Sequence, residues 1–145
     1  MKIVIEYPEK TVFTCQTRVR ITDLSASGHV GFDSLVAIVN DASAQFFEQR
    51  GIRKKAGSIG RIYADLAVVY KSESFFGDML RIDMAIGETS DKGFELMFRI
   101  HSEHTEKIVA LAKIGVLFFD YETHQVTSIP EGILEIAGVQ GPAVS

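Results

Sequence analysis

The chain has 145 residues, 46% of them hydrophobic, and a formal net charge of −4, as expected of one domain with a single apolar core. Nucleic-acid binding needs a concentrated basic face, which this acidic balance does not suggest, and the lone cysteine, Cys15, excludes an intrachain disulfide or a cysteine zinc cage. No apolar run approaches the ~18 residues of a membrane span, and the start MKIVIEYPEK lacks a signal-peptide core, so a cytoplasmic protein without a membrane partner is expected.

Residues 1–10 have no clear period, and Pro8 ends any extended segment there. Between residues 12 and 22, Phe13, Cys15, Thr17, Val19 and Ile21 alternate with Thr14, Gln16, Arg18 and Arg20. That pattern predicts a half-buried strand with Cys15 as an inert, buried thiol. A polar, glycine-bearing loop follows, and then the one long helical period. At about 100° per residue, Leu35, Ile38, Val39, Ala42 and Phe46 share a stripe that Val36 and Phe47 widen. Phe32 or Asp33 stands where this helix should start, an aspartate there being able to cap it, and Gly51 suits the left-handed position after its end.

Residues 53–60 (RKKAGSIG) read as a basic, mobile connection. Alternating strands are then predicted over residues 62–71, 80–86 and 94–101, the turn Ser90, Asp91, Lys92, Gly93 separating the last two. A long apolar run over 108–119 is interrupted by Gly115, as at a bulge or bend. Residues 128–130 suggest a short helix start with Pro130 in its first turn, and the tail 138–145 is expected to be disordered at its end.

One helix cannot cover both faces of five strands. The economical arrangement is a curved antiparallel sheet wrapped around the helix, its other face solvated or paired with a second subunit. The expectation is therefore one α+β domain over residues 1–145, with its core in about 12–137, assembled as a homodimer or homotetramer.

The motif D-x-S-x-x-G-H-V at 23–30 leads into the buried helix and four strands, with VVYKSESFFGD at 68–78 and GVLFFDY at 115–121. Over residues 13–130 this resembles the hot-dog-fold acyl-CoA thioesterases of the 4-hydroxybenzoyl-CoA thioesterase type. The resemblance implies a hot-dog fold and hydrolysis of an acyl-CoA to free acid and coenzyme A. No cofactor is called for. Nor is a metal: His101 and His104 are spaced like ligands but sit in a polar turn without further candidates. Family members often carry a catalytic aspartate three residues before the loop glycine. Here that position is Ser25, while Asp23 lies five residues before Gly28.

Thioester hydrolysis needs a polarised carbonyl and an activated water or nucleophile. Backbone N–H groups from Gly28 through Val30 to Gly31, aimed by the helix dipole, can polarise the carbonyl. Asp33 or Asp23 can act as base or nucleophile, Ser25 can hold a water, and His29 can bond the carbonyl or orient the base. Each has a bland counterpart: a cap for Asp33, a turn residue for Asp23, loop packing for His29. Asp41, off the apolar stripe, is the second-choice acid. Lys54, Lys55 and Lys71 can meet coenzyme A phosphates or simply be solvated. Two other functions stay open: a hot-dog enoyl-thioester hydratase using an aspartate with His29, and a catalytically silent acyl-thioester-binding domain, suggested by Ser25.

Overall fold

The computed structural model describes residues 2–139, so the expectation for the chain end falls outside the described residues beyond 139. In chain order the elements are β1 (Phe13–Arg18), α1 (Phe32–Gln49), β2 (Lys55–Ala56), β3 (Ile59–Tyr70), β4 (Met79–Thr89), β5 (Gly93–Ser102), β6 (Ile108–Asp120), β7 (Gln125–Thr127) and α2 (Ile133–Ala137). Every strand pair is antiparallel, in the order β1-β4-β5-β6-β3-β2, with β7 alongside β6. Among the described residues the sheet therefore has seven strands rather than five. The two extra ones, β2 and β7, are short hairpin partners of β3 and β6.

The sheet curls around α1 because alternate residues of its strands face one apolar helix stripe. Leu35, Ile38, Val39, Ala42, Phe46 and Phe47 are buried on the helix. They share a core with Leu80, Ile82 and Met84 of β4, Leu96, Phe98 and Ile100 of β5, and Ala110, Ala112 and Ile114 of β6. An aromatic run crosses this core: Phe13 to Phe46 at 5.7 Å, Phe46 to Phe47 at 5.3 Å, and Phe47 to Phe94 at 6.5 Å between centroids. Edge-to-face pairs such as the first two stabilise by about 0.5–1.5 kcal/mol beyond their burial. The helix ends as expected at Gly51, whose φ is +70°. No helix among the described residues is long and apolar enough to cross a membrane.

Four local expectations differ from the structure. β1 stops at Arg18, and a 3-10 turn over Ile21–Asp23 leaves Ile21 exposed rather than in line with Val19. The connection 53–60 is a hairpin turning at Gly57 (φ +63°) into β3. β3 starts at Ile59, and a bulge between Tyr63 and Asp65 breaks its alternation, so Tyr63 reaches the helix side and bonds Ser43 Oγ at 2.9 Å. The bulge lies opposite Gly115, whose N–H donates to Asp65 Oδ1 at 3.0 Å and whose missing Cβ makes room for that carboxylate. α2 begins at Ile133 behind the N-cap Gly132, leaving Pro130 ahead of the helix rather than in its first turn.

The outer face of the sheet is partly covered by the chain's own N-terminal segment. Ile5 is buried there with Ala85 and Met97, and the Arg99 guanidinium lies 4.3 Å from the centroid of the Tyr7 ring. Asp83, 6% exposed, holds this corner together. It accepts from Arg99 at 3.1 Å and from Thr14 at 3.0 Å, with Arg81 and His101 within 3.5 Å. Burial alone would raise the Asp83 pKa, but these hydrogen bonds and the arginine charges outweigh it and hold the carboxyl below its ordinary value. His101 is also pushed down, by burial first and then by the Arg81 charge.

Both groups bind protons more weakly folded than unfolded, so their stabilisation is present above the unfolded values of about 3.9 and 6.5 and is lost as pH falls through the folded ones. Calorimetry from about pH 7 to about pH 3 should show Tm falling with acid. Asp83→Asn should lower Tm at neutral pH and flatten that fall. An unchanged slope in the variant would contradict the role of this cluster.

Candidate active site

The loop between β1 and α1 is a small closed turn. Leu24 and Val30 form an antiparallel bridge, Ser25 N–H donates to His29 O at 2.8 Å, and Gly28 N–H donates to Ser25 O at 3.0 Å. Gly28 supplies the φ of +87° that the turn requires. Asp23 is a strut of this loop. It is 7% exposed, its Oδ2 accepts Arg20 N–H at 2.8 Å, and its carbonyl accepts Gly31 N–H at 3.0 Å.

These bonds revise the expected carbonyl donors. The N–H groups of Gly28, Val30 and Gly31 are already spent on Ser25, Ser74 and Asp23 carbonyls. The free donors lie one step further on. α1 has Gly31 as N-cap and no side chain capping it, so its first-turn N–H groups have no intrahelical acceptor and carry the positive end of the helix dipole. Asp33 is therefore not the cap but the second residue of the helix. Gly31 makes room for it, since a Cβ there would meet Asp33 Oδ1 at 2.7 Å.

A cavity of about 790 Å³ opens at this helix end, lined among others by Ser25, His29, Gly31, Asp33, Lys71 and Ser74. Asp33 also lines a second cavity of about 500 Å³, which runs between α1 and β3 past Val36, Asn40, Tyr63 and Leu66. Of the site residues expected from sequence, Ser25, His29, Val30, Gly31, Asp33 and Lys71 are brought together here. Asp23, Gly28, Lys54 and Lys55 do not line this cavity. Lys54 lines a separate cavity with Glu48 and Arg61 at the other end of α1, and Lys55 lies over the Tyr121 ring. An 18-residue helix is about 27 Å long, which separates these lysines from Asp33 within one chain. Asp41 is on the exposed side of α1, bonded to Gln45.

His29 sits in a hydroxyl network. Its Nδ1 lies 3.1 Å from Val30 O, its Nε2 lies 2.9 Å from Ser27 Oγ, and Ser27 Oγ lies 2.7 Å from Ser25 Oγ. A carbonyl only accepts, so the neutral ring carries its proton on Nδ1 and accepts from Ser27 at Nε2. Through Ser27 this orients Ser25, which lines the cavity, to hold a polar group or a water there. Tyr70 closes another side, donating to Phe32 O at 3.2 Å; burial first, then the Asp33 charge, pushes its phenol up.

Sequence reasoning missed the place of Tyr70, Ser74 and Lys107 in the site, Lys107 being a second cation in the lining beside Lys71. Tyr70 read only as the end of an alternating strand, and Ser74 and Lys107 lie in connections that no periodicity marks. Among the described residues no group of three or more His, Cys, Asp or Glu converges as for a metal ion.

The arrangement offers N–H donors, a carboxylate and a polar loop around one space, which suits attack on a polarised carbonyl. The profile of the thioesterase-like superfamily matches residues 19–136. The chain belongs to that superfamily. Its fold is shared with the 1,4-dihydroxy-2-naphthoyl-CoA thioesterase of Synechocystis (TM-score 0.80, 16% identity, 90% of this chain and 98% of that one). A Staphylococcus aureus protein solved in complex with CoA is similar at TM-score 0.79 and 16% identity, over 91% of this chain and 85% of that one. A gentisyl-coenzyme A thioesterase is similar at TM-score 0.73 and 21% identity, over 86% and 99%. No curated protein sequence matches the chain.

Gly31 has an ordinary φ of −72° that alanine tolerates. In this member of the superfamily Gly31→Ala should therefore keep the fold at a cost of about 1 kcal/mol, since alanine is a poorer N-cap than glycine, yet displace the Asp33 carboxylate. Side-chain NMR of Asp33 should report that displacement. An unperturbed Asp33 signal would show that the close approach is not maintained in solution.

Proposed function

We propose that this chain is an acyl-CoA thioesterase, releasing a free acid and coenzyme A. The observation that carries this reading is the uncapped first turn of α1 opening, beside Asp33, into the larger cavity. The thioester oxygen accepts from the first-turn N–H groups, which stabilise it as charge develops. Asp33 activates water or attacks the carbonyl, and Ser25 with Ser27 and His29 holds the water in place. Lys71 and Lys107 meet the phosphates of coenzyme A, while the slot past Val36 and Leu66 takes the acyl group.

The hydratase alternative pairs a histidine with an aspartate. Here both ring nitrogens of His29 engage Ser27 and Val30 instead, which favours hydrolysis. A thiol-release assay over acyl-CoAs of different length and polarity tests the reading. Binding without turnover would leave the silent acyl-thioester domain, and water addition to an enoyl-CoA would leave the hydratase.

Asp33→Asn should keep the fold and KM while losing about 10²- to 10⁴-fold in kcat, the range of a positioned acid or base. Asp23→Asn should lower Tm more than kcat, because that carboxylate is a buried loop strut. Near wild-type turnover by Asp33→Asn would move the base elsewhere. Lys71→Ala and Lys107→Ala should each raise KM by about fivefold or less at low salt, as exposed ion pairs do. The Lys54→Ala, Lys55→Ala double variant should leave KM unchanged, and the reverse pattern would relocate the phosphate site.

The active form is a homodimer in this reading. β3 pairs with β6 along its length but with the short β2 only at Ile59 and Gly60. Among the described residues its remaining edge has no strand partner, and Tyr63, Leu66 and Tyr70 are between 45% and 50% exposed. An open apolar edge of this length invites pairing with a second chain, which would also close the slot at Leu66. Sedimentation at micromolar concentration should give a dimer that Leu66→Lys weakens. A folded, active monomer would refute it.

A further inference from the structure

Ser74, in the connection from β3 to β4, is 1% exposed, and its hydroxyl has no hydrogen-bond partner among the described residues. It lines the same cavity as Ser25, His29 and Asp33. Its carbonyl accepts Val30 N–H at 2.9 Å, which fixes Ser74 beside the residue that precedes the N-cap of α1. A buried hydroxyl without a partner is unfavourable, so structures rarely keep one without a use. Two polar groups that line the same cavity are engaged elsewhere: Gly31 N–H by Asp23, and the His29 ring by Ser27 and Val30.

We propose that Ser74 Oγ–H is a further donor to the reacting carbonyl oxygen, working beside the first-turn N–H groups of α1. This rests on the thioesterase reading. Water forms a C–O bond to the thioester carbon, its proton passes to the Asp33 carboxylate, and the carbonyl electron pair moves onto oxygen. That oxygen accepts the Ser74 hydrogen bond, and Ser74 keeps its proton throughout. The intermediate collapses with cleavage of the C–S bond, and the proton on Asp33 goes to the departing thiolate. Ser74 can serve because a single χ1 step swings its hydroxyl between staggered positions, and it has no existing bond to break.

A donor that acts only as charge develops contributes to kcat and not to substrate binding. A structural hydroxyl would instead contribute to Tm. The test is Ser74→Ala in the full chain, with acetyl-, decanoyl- and benzoyl-CoA as substrates. The expected result is Tm unchanged or raised, KM within about twofold, and kcat down about 10²- to 10³-fold, the loss seen for one oxyanion donor. Ser74→Cys, close in size and a weaker donor, should fall between. A kcat of Ser74→Ala within about threefold of wild type would overturn the proposal. So would a loss confined to the alanine variant, tracking a lower Tm, while Ser74→Cys stays fully active. Wild type inactive on all three substrates would refute the thioesterase reading and the Ser74 role with it. An active wild type with an equally active Ser74→Ala refutes the Ser74 role alone.

Discussion

A helix laid against an apolar sheet gives up water along its buried face, and the N–H groups of its first turn must then find acceptors or face open space. In α1 the first constraint is met by Leu35, Ile38, Val39, Ala42, Phe46 and Phe47 against the concave sheet. The second is not met by any side chain, since the N-cap is Gly31. Burial fixes where the positive end of the helix points, and the loop bonded through Asp23, Ser25 and Ser74 keeps that end clear. Fold and site thus follow from the same packing.

The outer face obeys a separate logic. A curled sheet with one helix leaves Ala85, Met97 and Leu111 on its convex side, and the N-terminal segment covers them with Ile5 and Tyr7. The cover is fastened by charge: Arg99 bridges the Tyr7 ring and the buried Asp83. This part of the outer face is consequently occupied within one chain, whereas the open edge of β3 is not. Association through that edge would leave the Asp83 corner untouched.

Much of this architecture was legible in the sequence because it repeats. The 3.6-residue period marked α1, and strict alternation marked β4 and β5. Gly115 read as a break in its own strand, whereas the extra residue sits in β3 next to its partner Asp65, 50 residues away, so the reversal of side-chain facing in β3 could not be read locally. Asp83 looked like any outward polar residue of a strand, since its burial depends on a segment that shows no period. The site divided in the same way. The loop, His29 and Asp33 stood out by motif and by the helix start, while Asp23 drew attention as a free acid although Arg20 and the loop backbone hold it. Ser74 and Lys107 come to the cavity only through tertiary contacts, and Lys54 with Lys55 form a conspicuous basic run at the opposite end of the helix from Asp33.

The central claim is that the reacting carbonyl sits at the uncapped end of α1. A crystal structure of the protein with a non-hydrolysable ketone analogue of an acyl-CoA tests it directly. The account predicts the ketone oxygen within hydrogen-bond distance of the first-turn N–H groups, about 2.7–3.2 Å, with the phosphates near Lys71 and Lys107. An analogue seated instead in the cavity at Lys54 and Arg61, with the first turn of α1 empty of ligand, would contradict it.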